Sequence, residues 1–179
     1  MKTLSAFAGF IDHINEKLGR VTAWLTLLMV LVQFAIVLSH YIFHTGSIFL
    51  QESLLYMHSM IFLAGAAYTL KHNGHVRVDV IYSRLGDKAR AWINLLGSLI
   101  FLFPVLGIIG WMAWPYMMDS WQILEGSIET SGIQAVYLLK TMILLFVITM
   151  ILQGVALICH SLLSICGQEK TIAEEVEHL

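Results

Sequence analysis

Charge is what this sequence has least of. With 10 Lys and Arg and 12 Asp and Glu in 179 residues, charged side chains make up 12% of the chain, about half the share of an ordinary soluble domain. The scarcity is patterned. Residues 21–51, 53–70, 91–118 and 141–168 contain no Asp, Glu, Lys or Arg. Each window can cross a bilayer, for which roughly 17–25 predominantly apolar residues suffice. A water-soluble globule is excluded. So is a nucleic-acid binder, because the formal net charge is −2 and there is no basic stripe. Cysteine is scarce too: Cys159 and Cys166, seven residues apart, match neither a CxxC redox pair nor a metal-ligand spacing. They read as two small apolar side chains on a helix.

What is present is an all-α integral membrane protein in one domain, residues 1–179, with four expected spans at about 21–44, 53–70, 91–116 and 135–163. The first turn after span one is Thr45-Gly46-Ser47. Pro104 in span three removes a backbone hydrogen bond and predicts a kink. The patch Ala64-Gly65-Ala66-Ala67 in span two has no bulky side chain, so another helix can approach its backbone closely. Before the first span, the apolar run Leu4–Ile11 is too short for a signal sequence and is followed by Asp12, Glu16, Lys17 and Arg20 rather than a cleavage site. Leu4, Phe7, Ile11, Ile14 and Leu18 recur at helical spacing, with Asp12, Asn15 and Glu16 turned elsewhere. Residues 1–20 therefore read as an amphipathic helix in the membrane interface. Residues 164–179 read as a solvated acidic tail.

Basic residues set the orientation. Lys2, Lys17 and Arg20 precede span one, and Lys71, Arg77, Arg84, Lys88 and Arg90 lie between spans two and three. The other two loops contribute only Lys140, just inside span four, against Asp119, Glu125 and Glu129. Both termini are expected in the cytoplasm, with residues 45–51 and 119–134 outside.

A carrier of charged solutes marks its path with intramembrane ionisable groups, and no carboxylate or amine lies deep in any window. The remaining candidates, Gln33, His40, His58, Asn94, Thr149, Gln153 and His160, read first as helix–helix hydrogen-bonding residues. His40 and His58 leave one rival, a b-type haem held between two histidines in the anchor subunit of a redox enzyme. No enzymatic activity and no resident cofactor or metal are expected; a metal site would want more than His75 and Asp79. In the segment from His75 to Asp79, His75, Arg77 and Asp79 alternate with Val76 and Val78. An extended strand would put the polar groups on one side. Alternatively, Asp79 caps a short helix ending at Gly86, and Asp87 then caps span three. The segment reads either as a solvated cytoplasmic turn or as a polar anchor at the membrane edge, where Arg77 and Asp79 pair within this chain or with a partner.

Glu52, the Gly65-Ala66-Ala67 patch, the His75-Val76-Arg77-Val78-Asp79 motif, Ser120-Trp121 followed by Glu129-Thr130-Ser131, and Leu152-Gln153-Gly154 occur in an order that resembles the small membrane subunit of the tripartite ATP-independent periplasmic (TRAP) transporters. The chain departs from that pattern at Ile133-Gln134-Ala135, where many members have a proline. The resemblance covers about residues 15–160. It implies a non-catalytic scaffold in a sodium-driven importer of organic anions, whose large membrane subunit carries solute and sodium by an elevator-like movement. A periplasmic substrate-binding protein would dock on the membrane pair. The partners are then these two proteins and membrane lipids. Glu52, Gly65, His75, Arg77, Asp79, Trp121, Glu129, Ser131 and Lys140 become candidates for partner interfaces or structural motifs.

Overall fold

A computed structural model describes residues 2–75, 82 and 84–167. Arg77 and Asp79, the short helix expected after Asp79 and most of the C-terminal tail lie outside these residues. Four helices are long and apolar enough to span a membrane, and there are no strands among the described residues. They are α1 (Lys2–Tyr41), α2 (Ile48–Lys71), α3 (Asp87–Gln122) and α4 (Val136–Ile165).

The first helix runs for 40 residues without a break at Arg20. At 1.5 Å per residue it reaches about 60 Å, twice the ~30 Å hydrocarbon thickness, so a single rod carries both the expected interfacial segment and span one. The apolar stripe expected in the interface is divided between two sides of the helix. Ala8, Ile11, Asn15, Gly19 and Thr22 are buried, whereas Phe7, Phe10 and Ile14 are exposed. Lipid is as apolar as leucine, so large apolar side chains gain little by turning inward, while polar and small groups gain hydrogen bonds and close approach.

Helix α2 starts at Ile48 because the Ser47 hydroxyl, on extended backbone, accepts from the Leu50 N–H. Glu52 therefore lies within the helix and does not precede it. At the other end Asn73 adopts φ +54° and the Gly74 N–H returns to the Thr69 carbonyl, closing the helix in the left-handed turn that asparagine tolerates. Helix α3 begins at Asp87, with Gly86 as N-cap. Asp87 is not the cap expected from the sequence: it has already entered the helix, where its carboxylate faces the positive end of the dipole. Pro104 is accommodated by a π-turn over Ser98–Leu102, in which the Phe103 N–H bonds the Ser98 carbonyl. The wider turn supplies the register that a proline ring denies to the normal ladder. The helix continues through Pro115 to Gln122.

All three other helices pack on α4. Its neighbours Gln153 and Gly154 face different ways: Gln153 reaches α1, while a Cβ on Gly154 would lie 2.8 Å from Leu102 and 3.3 Å from Phe103 at the α3 π-turn. Ala8 and Ile11 pack with Ala156 and Cys159, and Ala67 packs with Leu106, Val147 and Met150. Between α1 and α2 the contact is closer still. A Cβ on Gly19 would sit 2.1 Å from the Tyr68 ring, and one on Gly65 would meet Thr22 Oγ1 at 3.7 Å. The small-residue patch of α2 thus receives this chain's own α1.

Gly19 is consequently irreplaceable while Tyr68 holds its position. Gly19→Ala should destabilise the purified protein by about 1–3 kcal/mol, the usual cost of overpacking, read as a lower thermal unfolding midpoint in detergent. Combining it with Tyr68→Ala should cost less than the sum of the two single changes, and additive effects would disprove the contact.

Candidate functional site: polar clusters at the two ends of the bundle

The first cluster lies where α2 ends and α3 begins. Asn15 and Gln153 are 1% and 3% exposed, so their amides must find partners within the protein. Asn15 Nδ2 donates to Gln153 Oε1 at 2.6 Å, and Gln153 Nε2 donates to Asp12 Oδ1 at 2.9 Å. The second carboxylate oxygen of Asp12 lies 2.8 Å from His160 Nε2. One turn along, Glu16 Oε2 accepts from Lys71 Nζ at 2.7 Å and faces His72 Nε2 at 3.0 Å, while Lys71 also donates to the Asp12 carbonyl at 3.2 Å. A chain of charge-assisted bonds thus ties the N-terminal half of α1 to α4 and to the end of α2. Beside it opens a cavity of about 450 Å³, bordered by Asp12, Lys71, Arg90, Asn94 and His160 among others. Arg90 Nε donates to the Tyr82 carbonyl at 3.1 Å, and Tyr82 Oη donates to Asn94 Oδ1 at 3.2 Å. His75 is exposed just beyond α2.

The second cluster lies at the opposite end and organises the α3–α4 loop. Glu52 Oε1 accepts from the Ser127 hydroxyl, and Glu52 Oε2 accepts from the Ile133 N–H at 2.6 Å. Gly132 makes this approach possible, because a Cβ there would stand 2.6 Å from both carboxylate oxygens. Ser127 Oγ in turn accepts from the Glu129 N–H at 3.1 Å, and Gln134 Nε2 donates to the Glu129 carbonyl at 3.2 Å. The loop's other flank is held by an ion pair between Glu125 and Lys140, whose ammonium also lies 4.0 Å from the centre of the Tyr116 ring. Trp121 Nε1 donates to Thr141 Oγ1 at 2.9 Å, and its ring meets Tyr137 edge-on at 4.7 Å. Lys140 beside it holds the Glu125 carboxyl below the usual carboxylate range through their hydrogen bond.

Among the residues singled out from the sequence, Glu52, Trp121 and Lys140 converge on this loop, Glu129 and Ser131 are exposed at its tip, and Gly65 lies inside the bundle. His40 and His58 are exposed; His40 meets Tyr41 edge-on and His58 lies tilted against Phe62, four residues along its own helix. Sequence reasoning passed over Asp12, Asn15, Ser127 and Gly132. The first two were legible in principle, since Ala8, Ile11, Asn15, Gly19 and Thr22 recur at the 3–4 spacing of one helical face.

Four membrane-length helices, with polar side chains joined to one another across helices and to a loop, define a polytopic helical membrane protein whose ionisable groups hold its architecture. The particular family follows from comparison. Residues 29–162 match the model of the DctQ component of the tripartite ATP-independent periplasmic transporters, and the chain belongs to that family, as a transporter's small membrane component. No curated protein and no solved structure gave a match.

Two predictions follow from the loop geometry. Glu52→Ala and Glu52→Gln should each raise amide hydrogen exchange across residues 127–133 by roughly 10- to 100-fold, the range for losing a hydrogen bond to a charged group. Glutamine fares little better because its NH₂ would face a donor. Unchanged exchange would show that the clamp does not hold the loop. The Glu125–Lys140 pair supplies the acid response. The carboxyl's folded value lies below 4.5, so the pair's contribution is complete above about that pH and is lost as pH falls beneath it. Measured against the intrinsic rate at each pH, protection of the Glu125 amide should fall in that acid range in the native chain and should not do so in Glu125→Gln.

Proposed function

We propose that this chain is a non-catalytic scaffold subunit of a sodium-driven importer of organic anions in a bacterial inner membrane, with both termini cytoplasmic. It holds a large elevator-type membrane subunit in place and helps dock a periplasmic substrate-binding protein. One observation carries the reading. Gln153, a polar side chain buried midway along α4, is engaged between Asn15 and Asp12, and Glu52 is engaged with the loop. A solute path needs ligands available to the solute. The orientation rests on charge: Lys71, Arg84, Lys88 and Arg90 gather where α2 ends and α3 begins, whereas Lys140 at the opposite end is paired with Glu125. Broad apolar surface supports a membrane partner: Trp24, Phe34, Trp111 and Met112 stand exposed on α1 and α3, with Trp111 80% exposed.

The test is uptake of labelled carboxylates by vesicles reconstituted with this chain, the large subunit and the periplasmic protein. Uptake should require all three components and an inward sodium gradient, and Glu52→Ala should lower the rate without changing solute preference. A changed preference would place this chain in the path and end the scaffold reading. In a chain lacking Cys159 and Cys166, a cysteine at position 84 should resist an impermeant maleimide in intact cells and one at position 130 should react; the reverse pattern would invert the topology.

A further inference from the structure

Ile128 is the most exposed apolar side chain of the α3–α4 loop, standing away from Ile123 and Leu124, which are exposed where the chain leaves α3. Most of the strongly exposed apolar residues sit on helices, where lipid or a membrane partner covers them. Ile128, at 101% exposure, stands between the end of α3 at Gln122 and the start of α4 at Val136. Its neighbours Ser127, Glu129, Thr130 and Ser131 are polar. A flexible loop would fold such a side chain back against the protein. This one cannot, because its backbone is fixed on both sides: Ser127 and Ile133 bond Glu52, Glu129 bonds Ser127, and Gln134 bonds the Glu129 carbonyl. The isoleucine is therefore displayed, and the entropy of ordering its turn is already spent within the chain.

We propose that the turn from Ser127 to Ser131 is a docking knob for a soluble protein, with Ile128 entering an apolar socket whose rim is basic. The charge on the page selects that partner. Glu129 and Asp119 are exposed at this end of the bundle, and the nearby cation Lys140 is occupied by Glu125. An anionic turn is repelled by anionic headgroups, which disfavours insertion into lipid. A symmetric contact between two copies would set Glu129 against its own image. Resting on the reading of the chain as a transporter subunit, the partner is the periplasmic substrate-binding protein, and the knob names where it is gripped.

The experiment uses the chain assembled with its large subunit in nanodiscs, together with the purified periplasmic protein. A photoreactive phenylalanine analogue in place of Ile128 should cross-link to the periplasmic protein, and the same analogue in place of Met112 on α3 should not. Ile128→Asp should raise the concentration of periplasmic protein needed for half-maximal uptake by about tenfold or more, in line with loss of a central apolar anchor. Ile128→Val should stay close to the native chain, and Glu129→Lys should impair docking more than Glu129→Gln. Co-purification of the two membrane subunits should be unaffected. An adduct from position 128 to the large subunit, to lipid or to a second copy would overturn the proposal, as would uptake by Ile128→Asp at native concentrations of the periplasmic protein. If the native chain fails to assemble with the large subunit, the transporter-subunit reading fails and the knob falls with it; if it assembles and supports uptake while Ile128→Asp behaves as native, the knob alone is wrong.

Discussion

The Gln153 side chain sits between Asn15 and Asp12, and the arrangement of the bundle follows from what that amide requires. In hydrocarbon an unbonded amide costs several kcal/mol, on the order of the whole net stability of a small domain. Gln153 meets the requirement by donating to a carboxylate and accepting from a second amide, both on α1. That fixes which face of α1 turns inward and how far along α4 it lies. The small residues do the rest. Gly154 brings the α3 π-turn against α4, and Gly19 and Gly65 bring α1 against α2. Helix association in lipid relies on such close approach and on interhelical hydrogen bonds, because burying leucine against leucine displaces nothing less apolar than itself.

The uncharged windows made four helices legible, since span length is dictated by bilayer thickness and charge is costly inside it. Helix α4 runs from Val136 to Ile165. Helix α1 ends at Tyr41, three residues short of His44, whereas α2 begins five residues before Ser53 because Ser47 caps it, and α3 begins four residues before Ala91 at Asp87. Charge marks where a helix leaves hydrocarbon, whereas capping marks where it ends, and these are different places. On α1 the apolar spacing reads as a stripe for the membrane interface, of which Phe7 and Ile14 are exposed and Ile11 is buried; it does not mark the inward face on which Asn15 lies.

The candidate site was less legible than the fold. Glu52, Trp121 and Lys140 stood out by residue type and by order along the chain, yet what each binds depends on contacts across dozens of residues. Ser127 meets Glu52 over 75 positions, and Ile133 does so over 81. No local periodicity encodes such pairings. Gly132 carries no chemistry of its own and reads as an ordinary turn residue until the carboxylate beside it is seen. The family match, too, begins at residue 29, so it leaves out the half of α1 that bears Asp12 and Asn15 while including their partners on α4.

That asymmetry bears on how the protein is made. Asn15 and Asp12 are joined to residues 138 and 141 positions further along, and Asp12 reaches His160 at a separation of 148. A chain emerging from a ribosome presents its first helix to the membrane long before its last helix exists. Until α4 has been inserted, the carboxylate and amide of α1 have neither Gln153 nor His160 to bind, and they remain with water at the membrane edge. Closure of α1 onto α4 therefore waits until α4 is itself in the membrane. A chain cut short before α4 would leave an unsatisfied polar stripe on its first helix, the kind of defect that membrane quality control recognises.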